Sequence, residues 1–208
     1  MYTKAYIGLA SVLVLILAVV YLLHPLEQPA AIGAAAYSDD KQEMIDRGEY
    51  LVTIQGCQDC HTPKIMTPQG PQPDPERAFM GYPADEPVPE VPEGVIRPGG
   101  WSAMMNDDLT AAVGPWGISF ATNLTPDDET GIGTWTLDMF KGSLRTGQHM
   151  GEGRPILPPM PWYNYVEMTD EDIEAVYTYL QSIEPIRNPV PEPVPAEDLG
   201  FPPFPPEE

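Results

Sequence analysis

Proline occupies 27 of the 208 positions and glycine another 18. Proline lacks the backbone N–H that helices and sheets use and fixes φ near −65°, so a chain this rich in it cannot be mostly regular secondary structure. Long loops and extended segments are required. Apolar residues still make up 42% and aromatics 9%, enough for a modest core rather than wholesale disorder. The length suits one ordinary domain with additions. Lys and Arg number 10 against 31 Asp and Glu, a net charge of −21. No basic surface is left to neutralise phosphate, so nucleic acid is excluded as a partner of the usual electrostatic kind. Two Cys are too few for a disulfide scaffold.

Residues 1–24 are expected to be a membrane anchor. Ala5 to Leu23 carry no charge over about the length that crosses a hydrocarbon core. Lys4 precedes this run, and no Lys or Arg follows until Lys41. The positive-inside tendency therefore keeps the N-terminus in the cytoplasm and exports the rest. The expected location is the bacterial cytoplasmic (inner) membrane, single-pass, with residues 5–23 in the lipid bilayer and the folded part on the periplasmic side. The rival reading is a cleaved signal peptide, since Ala34-Ala35-Ala36 fits an A-x-A site, although that site lies well beyond the end of the run.

Residues 25–39 read as a linker and 40–186 as the main domain. A helix is expected from Asp39 to Gly56, with Met44, Ile45, Leu51 and Ile54 at roughly helical spacing. Gly48 inside it costs helix propensity and suggests a close packing contact. Residues 62–116 are rich in Pro and Gly, show little periodicity, and are too long for a plain connection, so they read as a functional flap or a partner surface. A short helix over Thr136–Arg145 has Thr136 as its cap and Leu137, Phe140 and Leu144 on one face. Thr169 caps a further helix, whose Ile173, Val176, Tyr177 and Leu180 fall at i, i+3, i+4 and i+7. Residues 187–208 are mostly Pro and acid and read as an extended tail, either docking on a neighbour or acting as a solubilising acidic segment. No alternating strand pattern is evident.

Cys57-Gln58-Asp59-Cys60-His61 is a C-x-x-C-H sequence, the pattern of c-type haem attachment. Two thiols three residues apart can each add to a haem vinyl group, and the adjacent His then sits beneath the iron. A redox C-x-x-C pair belongs in a βαβ context, which is absent here. A zinc site would need His24 or His149 as its fourth ligand. The expectation is one covalent haem c on Cys57 and Cys60, with His61 as proximal iron ligand.

Further segments resemble the cytochrome c domains associated with membrane-bound alcohol, aldehyde and sugar dehydrogenases. They are Glu49-Tyr50-Leu51 ahead of the motif, Ala121 to Pro126, Thr130 to Trp135, Pro158 to Trp162, and Met168 to Asp172. The resemblance covers roughly residues 40–185, with 62–116 as an insertion. It implies a class I cytochrome c-type fold, mainly α, with long Pro/Gly-rich loops and here one N-terminal transmembrane helix. It also implies that the Pro158–Trp162 segment supplies the axial Met, which is Met160. A Pro-braced loop can hold a thioether with little ordering cost, which suits Met160 independently. Met150, Met80, Met104, Met105 and His149 remain alternatives, and Arg145 and Arg154 could pair with haem propionates or sit in surface ion pairs. One haem motif stands where such subunits typically have three.

An iron with both axial positions filled has no open site for substrate, so the expected role is one-electron transfer and not catalysis. The expected setting is a subunit of a respiratory or photosynthetic membrane complex, exchanging electrons with redox partner proteins. A free anchored shuttle and the cytochrome subunit of a membrane-bound dehydrogenase are the alternatives.

Overall fold

Two helices cross at a glycine to form the frame of the fold. The computed structural model describes residues 41–96 and 101–201. Helix α1 spans Lys41–Ile54 and buries Gly48, Leu51 and Val52. Its partner in the crossing runs over Asp170–Leu180 and buries Ile173, Ala175, Val176 and Leu180. Gly48 is where the two backbones meet. A Cβ there would collide with the Ala175 carbonyl and lie 2.6 Å from Tyr179 Cβ. An ion pair from Arg47 to Asp172 ties the edge of the crossing, with Nε at 2.7 Å from Oδ1.

Four α-helices occur among the described residues. After α1 come α2 (Cys57–His61), α3 (Leu137–Thr146) and α4 (Asp170–Leu180). Threonine caps start the last two. Thr136 accepts from the Met139 amide at 3.2 Å and Thr169 from the Asp172 amide at 3.1 Å, satisfying donors that the first turn leaves unpaired. Asp170, Glu171 and Asp172 add negative charge at the positive end of α4. Phe140 of α3, Phe79 and Ile132 complete the core between α1 and α4.

The expectation of a mainly α fold is overturned by two antiparallel sheets. Strands β1 (Lys64–Thr67) and β2 (Gly70–Pro73) form a hairpin with Lys64 opposite Pro73. A second sheet has the order β3-β4-β5-β6, built from Met104–Met105, Ala111–Gly114, Gly117–Phe120 and Val194–Pro195. All eight residues of β4 and β5 are buried or nearly so. A four-residue strand covered on both faces has no polar alternation to reveal it, which is why periodicity missed the sheet. Strand β6 comes from the tail, and its pairing with β5 cannot be read from local sequence.

This sheet builds a second core. Tyr82, Ile96, Ala111, Val113, Ile118 and Phe120 form its centre, and Val194, Leu199 and Phe201 of the tail pack against it. Buried Asn188 fastens the start of the tail. Its Nδ2 donates to the carbonyls of Met80 (2.6 Å) and Tyr82 (2.8 Å), and its Oδ1 accepts from the Ala84 amide at 2.9 Å. Insertion and tail thus satisfy each other within the chain.

The expected single-pass placement in the inner membrane is also corrected. Among the described residues no helix is long and apolar enough to cross a membrane. The expected anchor at 1–24, the linker at 25–39 and residues 202–208 of the tail lie outside the described residues.

The crossing yields a prediction. Gly48→Ala gains about 1 kcal/mol of helix propensity but forces α1 and α4 apart. Overpacking at such a contact costs about 1–3 kcal/mol, so thermal or urea unfolding will show a net loss of stability. A variant as stable as the parent would mean the helices separate without cost.

Candidate functional site

The five residues of α2 bring both thiols and the His onto one short turn. Gly56 precedes it in the left-handed region (φ 68°). Cys57 and Cys60, at i and i+3, share a side of the helix and are not joined to each other. Burial pushes the Cys57 thiol up to about 11 and raises Cys60 as well, so neither is a resident thiolate.

His61 ends the helix and is buried, 8% exposed. Its Nδ1 donates to the Thr122 carbonyl at 2.8 Å. Burial, followed by the opposing effect of that bond and then the nearby Lys64 charge, leaves the imidazole's pKa below the ordinary value, so it is neutral at pH 7. Neutral imidazole protonated at Nδ1 carries its lone pair on Nε2. No protein group among the described residues pairs with that nitrogen.

The Thr122 carbonyl is itself held from both sides. An irregular segment at 79–82, left-handed at Phe79 and Gly81, lies between the end of α2 and residues 121–124. Thr62 Oγ1 accepts from the Phe79 amide at 2.9 Å, and the Gly81 amide donates to the His61 carbonyl at 2.9 Å. On the other side the Tyr82 amide reaches Ala121 O (2.9 Å) and the Leu124 amide reaches Phe79 O (2.8 Å). Gly81 permits this because its φ is 79° and a Cβ would sit 2.6 Å from the Thr122 carbonyl carbon. Asn123 locks the next step, accepting from the Thr125 amide and hydroxyl at 2.9 and 2.7 Å and donating to Ile186 O at 2.7 Å.

Met160 is half-buried in a loop fixed on both flanks. Ser119 Oγ of β5 donates to the Pro158 carbonyl at 2.6 Å. Trp162 lies against Gly147, where a Cβ would collide with the indole. Beyond it, Tyr165 donates to Gln55 O at 3.4 Å, and burial, aided by the neighbouring Cys57, Cys60 and Asp59, raises its phenol to about 12. The loop carrying Met160 therefore leads directly to the thiol side of α2.

The other candidates stand in varied surroundings. Met150 is 39% exposed on a left-handed residue, Met105 is 37% exposed, and Met104 packs on the second core. Met80 is buried beside the Asn188 anchor. The His149 ring stands edge-on to Trp135, with centroids 4.9 Å apart. Among the described residues no group of three or more His, Cys, Asp or Glu could hold a metal ion, and His24, one of the two candidate fourth ligands of a zinc site, lies outside them. Arg145 is a loop clamp. It donates to the carbonyls of Val166 and of Met168 (2.6 Å) and to Asp170 Oδ1 at 2.9 Å. Arg154 lies 3.8 Å from Glu192 in an exposed pair.

Motif reading found Cys57, Cys60 and His61 but missed Thr122, Gly81 and Lys64, whose ammonium binds carbonyls of α2. Thr122 does fall in one of the segments that carry the resemblance. The other two have no sequence signal short of the fold.

The chain is 29% identical over 155 residues to the cytochrome c subunit of a quinone alcohol dehydrogenase from Gluconobacter oxydans, covering 74% of this chain and 24% of that protein. It is 30% identical over 155 residues to the cytochrome c subunit of gluconate 2-dehydrogenase from Pantoea cypripedii, 73% of this chain and 26% of that one. The chain is a homologue of dehydrogenase cytochrome c subunits. A match to the cytochrome subunit of fructose dehydrogenase from Gluconobacter japonicus, 29% identical over 158 residues, covers 76% of this chain and 24% of that protein. The chain thus spans about a quarter of the length of the cytochrome subunits it matches. No protein-family model matches it. Cytochrome c homology implies haem c, and a buried neutral His with a free Nε2 beside two unpaired thiols fits that group.

The clamp yields a second prediction. Arg145→Met strips donors from the Val166 and Met168 carbonyls, and charge-assisted bonds of this kind are worth about 1.5–3 kcal/mol each when shielded. Discounted for partial exposure, a loss of about 2 kcal/mol in urea unfolding is expected. An unchanged midpoint would show that water replaces the guanidinium at no cost.

Proposed function

We propose that this chain is a one-electron carrier holding one haem c, with thioethers from Cys57 and Cys60, His61 as proximal ligand and Met160 as the sixth. The observation that carries the reading is the state of His61: buried, neutral, fixed through Nδ1, with Nε2 left for iron. When bound, the haem supplies the Fe(III)/Fe(II) couple. The Thr122 carbonyl holds the imidazole in its ligating tautomer and raises its basicity, the usual work of a partner behind a metal-bound His. The flanks of the Met160 loop, fixed by Ser119 and Trp162, hold the thioether in place without a large ordering cost. Two filled axial positions leave the chain an electron-transfer subunit and not the site of substrate chemistry.

Its partner, on this reading, is a dehydrogenase that delivers electrons one at a time. The homologues support that setting over a photosynthetic or a general respiratory complex. The charge of −21 supports docking against a basic surface, since complementary potentials raise association rates.

The test is chemical. Haem will remain on the denatured chain through acid–acetone extraction, and Cys57→Ala or Cys60→Ala will each remove one thioether. Met160→His will stay low-spin with a lower midpoint potential, within the about 0.8 V range that axial ligands command. Extractable haem would remove the covalent assignment. An unaltered potential in Met160→His would move the sixth ligand elsewhere.

A further inference from the structure

Most cations of this acidic chain lie against carboxylates. Arg47 meets Asp172, Arg77 meets Asp74 and Glu86, Lys141 meets Asp170, and Arg187 meets Glu129. Lys64 does something different. Its Nζ donates to the carbonyls of Gln58 (3.2 Å) and Asp59 (3.0 Å) within α2 and to that of Thr62 just after it. Those carbonyls belong to the last turn, where a helix leaves its acceptors unpaired and presents the negative end of its dipole.

The lysine is delivered there by construction. It opens β1, is half-buried, and is paired in register with Pro73 of the hairpin. Its own amide donates to Asp108 Oδ1 at 3.2 Å, which ties the hairpin to a later part of the insertion. The β1–β2 hairpin thus folds one ammonium back under the turn that carries both cysteines and the histidine.

Resting on the haem reading above, we propose that Lys64 is a positioning residue for the attachment helix, which caps its carbonyl end and biases the bound haem toward the reduced state. The electrostatic argument is one of sign. Reduction adds one electron and lowers the positive charge at the iron by one. A fixed cation therefore disfavours the oxidised state more than the reduced one. Asp59 and Asp108 lie near the ammonium and partly offset it in the parent protein. Removing the lysine leaves those acids uncompensated, so the direction of the change is unambiguous.

Wild type, Lys64→Met and Lys64→Arg are compared by spectroelectrochemical titration at fixed pH and low salt. Amide hydrogen exchange over residues 58–62 is measured on the same haem-bearing chains. Lys64→Met should lower the midpoint potential and speed exchange at the helix amides, and Lys64→Arg should return the potential toward wild type. Faster exchange with an unchanged potential would reduce Lys64 to a structural cap and overturn the redox bias. A lower potential with unchanged exchange would overturn the capping role. If Lys64→Met retains no haem, Lys64→Gln, which keeps a donor without the charge, replaces it under the same criteria. If neither retains haem, Asp108→Asn, which keeps Lys64 and removes an acid beside it, should raise the potential, and an unchanged potential overturns the redox bias. Wild type that fails to bind haem covalently would instead sink the haem-carrier reading itself.

Discussion

One hydrogen bond, from His61 Nδ1 to the Thr122 carbonyl, closes the base of the long insertion by joining the residue before it to one just beyond it. It needs His61 presented at the end of α2, and it needs a backbone carbonyl aimed at the ring from sixty-one residues away. The strip at 79–82 achieves the second by bonding to residues 61–62 on one side and 121–124 on the other. The insertion is therefore not an ornament on a finished domain. Its strip at 79–82 and the chain just beyond its end form the wall that orients the imidazole, and its hairpin supplies Lys64 to the same helix.

What was legible in the sequence was local chemistry. The C-x-x-C-H spacing, the threonine caps at 136 and 169, and the close approach at Gly48 all depend on neighbours a few residues apart or on the special geometry of glycine. The resemblance to dehydrogenase-associated cytochrome domains rested on short segments, and homology bears it out. What was not legible depended on distant partners. Ile54 sits at helical spacing yet is 59% exposed, because the buried face of α1 is set by α4 through Gly48, Leu51 and Val52. The sheet was missed because its two central strands are short and covered on both faces. Arg145 offered a guanidinium suited to a carboxylate, and the fold spends it chiefly on loop carbonyls.

The tail shows the same limit from the other side. Its composition suggests an extended Pro-rich arm reaching outward. Residues 188–201 instead find their partners at home: Asn188 satisfies three backbone groups that would otherwise be buried unpaired, and Val194 extends the sheet. Proline is compatible with this because β6 is an edge strand, where a missing donor costs little. A polar, proline-rich composition constrains how a segment can pair without deciding what it pairs with.

The placement of β6 has a consequence for the order in which the molecule is made. Strand β5 ends at Phe120, and its partner lies more than seventy residues later, beyond α3 and α4. A growing chain on the ribosome can form α1, α2 and the hairpin early, but the sheet beneath the insertion stays open at β5 until the tail has emerged. Closing so long a loop is entropically slow, and an unpaired strand edge is open to wrong partners meanwhile. The chain thus completes α3 and α4 while the sheet behind its insertion still has one edge open.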